Sequence, residues 1–296
     1  MKKTALVLGG GGALGAYQAE VARRIAPSLD LCAITGVSVG ALNGSILSQG
    51  STDKLKQIWK ETRKSDVWSG GHTFWRYVNL ILGNKLGLYS SDPLQEKVEI
   101  YFDPNEVKVP FQAGSVNLET GEYVRYQISP DLNYTEKAID RARRFVCASA
   151  AIPGAVEPIK VDEDKKMMVD GGIRNMAPIS DSLDFDPDRI VVILNTSIQD
   201  DFLSNNKAPS HIFEVGASAL EVLFNETTIN DVRTARKIND AAKEAGGQIG
   251  DYKYVDIDVI GPSGPIGSAQ DFSKAAYKNR VEIGKRDAKN FLDRKT

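Results

Sequence analysis

A single α/β domain over residues 1–296, with a central, mostly parallel sheet between two layers of helices, is the fold this sequence predicts. Three observations lead there. Two strand–loop–helix units follow one another at the start of the chain. Later apolar strand segments alternate with amphipathic stretches, and no repeat, low-complexity tract or composition break divides the chain.

The elements follow in order. "TALVLG" (4–9) is a short apolar run ended by glycines, and "AYQAEVARRIA" (16–26) spaces Ala19, Val21, Ala22 and Ile25 toward one side of a helix. "LDLCAITG" repeats the strand signal and "GALNGSILSQG" (40–50) the helix signal, with glycine at its end. Residues 53–64 read as a polar amphipathic helix. "FQAGSVNLETGEYVRYQI" reads as two strands joined by the turn "ETGE". "YTEKAIDRARRFVCASAA" is a helix that stops before Pro153, and "KMMVDGG" a short strand running into a turn. "RIVVILNTS" is a buried strand, and residues 210–243 form one or two long helices. "YKYVDIDVIGP" (252–262) alternates like a late strand, and "SAQDFSKAAYKNRVEIGKRDAKNFL" closes with a helix.

Composition narrows the function classes. The chain is 42% hydrophobic, with 37 basic and 39 acidic residues and a net charge of −2, so no basic field holds a nucleic-acid backbone. The two cysteines, Cys32 and Cys147, lie in apolar stretches, which suits packed, reduced thiols and a cytoplasmic setting. The opening "MKKTALVLGGGGALGAYQA" imitates a secretory signal. Its four consecutive glycines argue against that reading, since each costs a helix about 1 kcal/mol relative to alanine. No run reaches the roughly 18–20 apolar residues of a membrane span, so membrane contact is expected to be peripheral at most.

"GGGGALG" (9–15) lies between a strand and a helix, and Gly10, Gly12 and Gly15 fit the G-x-G-x-x-G dinucleotide pattern. A nucleotide-binding module using the Gly10–Gly15 loop is therefore one alternative. The acid that should end the second strand and bind a ribose is missing, because that strand ends in "TGVSVG". "GVSVG" sets Ser38 between Gly36 and Gly40, the spacing of a nucleophile elbow. If both strands are parallel and adjacent, the glycine loop and Ser38 emerge together at the carboxyl edge of the sheet. The N–H groups of residues 10–12 would then stabilise an oxyanion formed at Ser38.

A serine nucleophile needs a base. The two histidines, His72 and His211, read better as solvated or capping residues, although His211 leaves a histidine-dependent α/β-hydrolase as a second alternative. Asp170 ends an apolar strand and precedes Gly171 and Gly172, which puts a carboxylate beside a permissive turn at the sheet edge. The segment holding Trp68, Phe74, Trp75, Tyr77, Leu80, Ile81, Leu82 and Leu86 reads equally as a lipid-facing cap and as a helix packed on the core.

With these blocks in hand, the chain resembles the patatin-like phospholipases. "VLGGGGALGAYQ", "GVSVGALNG", "ASAAIPGAVEPI" and "VDGGIRNMAP" occur in the family's order, and the resemblance covers about residues 4–198. It implies a Ser–Asp dyad without histidine: Ser38 as nucleophile, Asp170 as base, and Gly10, Gly11 and Gly12 as the oxyanion loop. The implied activity is hydrolysis of a lipid fatty-acyl ester through an acyl-enzyme, with no cofactor or metal. With an ordinary pKa of about 4, Asp170 would be a weak base that relies on close placement. One position departs from the pattern: Leu14 stands where the family usually carries arginine or lysine.

Overall fold

The computed structural model describes residues 2–70, 85–162, 166–197, 208 and 212–294. Its elements are β1 (Lys3–Leu8), α1 (Gly15–Ile25), β2 (Asp30–Val37), α2 (Val39–Ser48), α3 (Thr52–Glu61), α4 (Asp92–Tyr101), β3 (Phe111–Asn117) and β4 (Tyr123–Ile128). There follow α5 (Glu136–Ala148), β5 (Ile159–Val161), β6 (Lys166–Asp170), α6 (Ile179–Ser182), β7 (Arg189–Ile193), α7 (Ile212–Glu244), β8 (Asp256–Ile260) and α8 (Lys274–Asp293). One eight-stranded sheet runs in the order β8-β7-β1-β2-β3-β6-β5, with β4 also on β3.

From β8 to β3 every neighbouring pair is parallel. Helices cover both faces of β1. Leu6 and Leu8 enter one core with Tyr17, Ile34 and Phe111, while Ala5 and Val7 enter another with Ile190, Val192 and Val232 of α7. That is why "TALVLG" is continuously apolar instead of alternating. Each large side chain buried this way stabilises the fold by about 1.5–3 kcal/mol.

The antiparallel strands place the carboxyl ends that matter. β4 lies along one edge of β3, from Phe111 opposite Ile128 to Val116 opposite Tyr123, as the hairpin reading predicts. The other edge is shared. β2 pairs there from Ile34–Phe111 to Val37–Gly114, and β6 pairs from Met168–Asn117 to Asp170–Ser115 in the opposite sense. The carboxyl ends of β2 and β6 therefore meet head to head beside Gly114 and Ser115.

Two readings are refined. Residues 212–244 form one helix of 33 residues. The late strand covers only Asp256–Ile260, because Val255 N–H donates to Asn239 Oδ1 (2.9 Å) and Tyr252–Lys253 pairs with Gln248–Ile249. Neither cysteine is in a disulfide; Cys147 is buried and Cys32 partly so.

Close approach of α2 to the sheet rests on glycine. A Cβ on Gly40 would overlap the Leu8 carbonyl, and one on Gly36 would overlap the Gly40 carbonyl. Gly40→Ala is expected to lower unfolding free energy by about 1–3 kcal/mol in urea titrations. Gly216→Ala, whose Cβ would meet nothing within 4 Å, is expected to be neutral or stabilising by up to about 1 kcal/mol in the same titration.

Candidate active site

Ser38 follows the last residue of β2 and caps α2, with φ 57° and ψ −129°. A non-glycine residue at positive φ costs about 1–3 kcal/mol and persists only where the surroundings impose it. Here they do: Ser38 N–H donates to Ser149 Oγ (3.0 Å), and the Ser149 hydroxyl donates to the Gly114 carbonyl (2.5 Å). The elbow is thus tied to the middle of β3 through one serine at the end of α5. Being the cap of α2, Ser38 also lies at the positive end of that helix, which favours negative charge developing on it.

Asp170 is completely buried. Its N–H donates to the Ala151 carbonyl (2.9 Å), and its Oδ1 accepts Gly172 N–H (2.8 Å). Gly171 allows the turn, since a Cβ there would crowd the Gly114 carbonyl. Burial pushes the Asp170 carboxyl up to about 7, opposed by the Gly172 N–H and the nearby Ser38 hydroxyl. The expectation of an ordinary weak base is therefore corrected. Oδ2 accepts no hydrogen bond among the described residues.

The glycine loop borders Ser38: a Cβ on Gly10 would stand 3.1 Å from Ser38 Cβ. Gly10 N–H is given to the Met176 carbonyl (3.1 Å), whereas Gly11 and Gly12 N–H have no acceptor among the described residues. Gly10 instead serves packing, because a Cβ there would overlap Met176 Sδ, and the same sulfur fills the space beside Gly172. Asn195 Nδ2 donates to the carbonyls of Gly10 (2.9 Å) and Gly9 (3.2 Å), and Gln18 Nε2 donates to Gly9 (2.8 Å). From α7, Asp231 Oδ2 accepts Ala177 N–H (2.9 Å), and burial raises that carboxyl to about 6.

Leu14 is buried in the larger core, so the position usually held by a cation is used for packing. From Ser38 an apolar pocket runs between α2, α3 and α4, lined by Leu42, Ile46, Leu55, Ile58, Val98 and Phe102. Trp68 is at its wall and stacks on Tyr89 (5.6 Å between ring centres). Leu86, from the same predicted segment, is exposed. Phe74, Trp75, Tyr77, Leu80, Ile81, Leu82, His72 and His211 lie outside the described residues.

Ser38, Asp170, Gly10, Gly11, Gly12, Gly36, Gly40, Gly171 and Gly172 are thus gathered at one edge of the sheet. Sequence reasoning missed Ser149, Met176, Asn195 and Asp231. Ser149 lies within the "ASAAIPG" block, and Asn195 directly beyond a buried strand at the ligand-binding edge, which are the signals that were available.

The family model for patatin-like phospholipases matches residues 6–184. The chain belongs to the patatin-like phospholipase family. Among solved structures it is similar to VipD from Legionella pneumophila, with a TM-score of 0.54 and 14% identity over 99% of this chain and 67% of that one. At that identity the likeness speaks for the fold. No curated protein matches the chain. Members of this family are lipid acyl hydrolases. No described helix is long and apolar enough to cross a membrane.

Asp170 links the site to stability. Burial holds its folded pKa, at about 7, well above the ordinary carboxylate value, so its contribution is fully present below about pH 4 and is lost as pH rises through 7. Asp170→Asn is expected to raise the melting temperature more at pH 8 than at pH 5, as read by calorimetry at both pH values.

Proposed function

We propose that this protein hydrolyses fatty-acyl esters of lipids through a Ser38–Asp170 dyad. The observation that carries this reading is the head-to-head meeting of β2 and β6, which brings a serine that lines an apolar pocket, on a strained elbow, next to a fully buried aspartate. The family supplies the reaction class.

Ser38 Oγ attacks the ester carbonyl carbon while its proton passes to Asp170, and the carbonyl oxygen takes up the negative charge. Gly11 and Gly12 N–H groups, held in place by the loop, receive that charge as preorganised donors. Asp170 returns the proton to the departing alcohol oxygen, leaving an acyl-enzyme on Ser38. Water then gives a proton to Asp170 and attacks the acyl carbon; the tetrahedral intermediate collapses, and Ser38 Oγ regains its proton. The pocket lined by Leu42, Ile46, Val98 and Phe102 holds the acyl chain. With Leu14 buried, stabilisation rests on backbone dipoles, which suits an ester whose headgroup needs no cation at that position. The substrate is a lipid reached by peripheral contact with its surface, and the unpaired cysteines suit a cytoplasmic setting.

Ser38→Ala and Asp170→Asn are each expected to lower hydrolysis of a chromogenic fatty-acyl ester by at least about 10³-fold while circular dichroism stays native. Activity within tenfold of wild type in either folded variant would end the dyad reading. Because the base form of Asp170 is required, kcat/KM is expected to be flat above pH 7 and to fall about tenfold per pH unit below it. A profile that breaks near pH 4 would contradict this. Ile46→Trp, which fills the pocket, is expected to shift preference toward shorter acyl chains in a competition assay with mixed esters.

A further inference from the structure

β7 ends at Ile193, and Asn195 follows at the carboxyl edge of the sheet, 2% exposed. Its two N–H groups go to the Gly9 and Gly10 carbonyls. The Gly9 carbonyl is held a second time by Gln18, so the contact peculiar to Asn195 is the one to Gly10. Asn195 Oδ1, by contrast, is buried with no hydrogen-bond partner among the described residues. An unpaired buried acceptor costs about 1–3 kcal/mol. Turning the amide over would not relieve it, because the oxygen would then face two carbonyl oxygens. The fold thus bears an orphaned oxygen to keep the NH2 group where it is.

What that NH2 group controls follows from peptide geometry. The described backbone contains no cis peptide bond, and in a trans peptide the C=O and the next N–H point in opposite directions. Holding the Gly10 carbonyl toward Asn195 turns Gly11 N–H away from it. Gly11 has φ 146°, and a Cβ there would stand 2.6 Å from Asn195 Cβ, so the loop lies directly on the asparagine. Gly10, its neighbour, borders Ser38. The loop is sandwiched between the two side chains.

We propose that Asn195 is the positioning residue of the oxyanion hole: by gripping the Gly10 carbonyl it presents Gly11 N–H to the oxyanion formed at Ser38. This rests on the Ser38 reading above. Without the grip, the Gly10–Gly11 peptide is free to rotate and offer its carbonyl in place of its N–H.

The test uses Asn195→Ala and Asn195→Asp in the full chain, with a soluble chromogenic ester and an alkyl boronic acid that becomes tetrahedral and anionic on a serine hydroxyl. kcat is expected to fall on the order of 10²–10³-fold with KM changed by less than about threefold, and boronic acid affinity to fall by a similar factor. Val192→Ala, a buried change in the strand that leads to Asn195, is expected to lower the melting temperature but keep kcat within about threefold. Unchanged boronic acid binding in a folded Asn195 variant overturns the proposal. So does an equal loss of kcat in Val192→Ala, or failure of both Asn195 variants to fold, which would assign the residue to stability. Retained hydrolysis in Ser38→Ala would instead sink the Ser38 reading itself, and is measured with Asn195 unaltered.

Discussion

Everything at this site depends on one edge of β3 being shared by two strands that run toward each other. Ladder hydrogen bonds fix register in whole residues, and side chains alternate with period two. Once Val37 pairs with Gly114 and Asp170 with Ser115, the separation of Ser38 and Asp170 is set by main chain, with little left to side-chain freedom. The segment after α5 reinforces it, because Ser149 takes Ser38 N–H and Ala151 takes Asp170 N–H. One short stretch thereby holds both partners by their backbones.

Burial turns this geometry into chemistry. A carboxyl with no access to water is a far stronger base than a solvated one, because desolvation disfavours its charged form. The glycine loop beside it is less enclosed, with Gly11 and Gly12 only partly buried. Met176 links the two halves: its carbonyl holds Gly10, and its thioether packs beside both Gly10 and Gly172. α7 reaches the same hub through Asp231 and Ala177. The site is therefore braced from a helix that the family match, ending at residue 184, does not include.

Local features were legible in the chain. The glycine spacing at 9–15 and 36–40 announced the loop and elbow because close approach and positive φ demand glycine at particular offsets. Asp170 could be singled out by its place at a strand end, but not its basicity, since burial belongs to the assembled fold. The head-to-head junction was not legible either: strand order is a long-range property that periodicity does not carry. Gly10 looked equivalent to Gly11 and Gly12, and only the Met176 carbonyl distinguishes it. Asn195 and Ser149 are small polar residues in unremarkable contexts, whose partners lie 185 and 111 residues away.

The backbone at residue 38 has a further consequence. Its φ of 57° is one that glycine adopts freely and serine does not, so folding alone would favour a glycine there. The hydroxyl is held at that position against the preference of the main chain. In a lineage with no use for that hydroxyl, drift toward glycine at this position would be favoured by stability itself, and the elbow would outlast its serine.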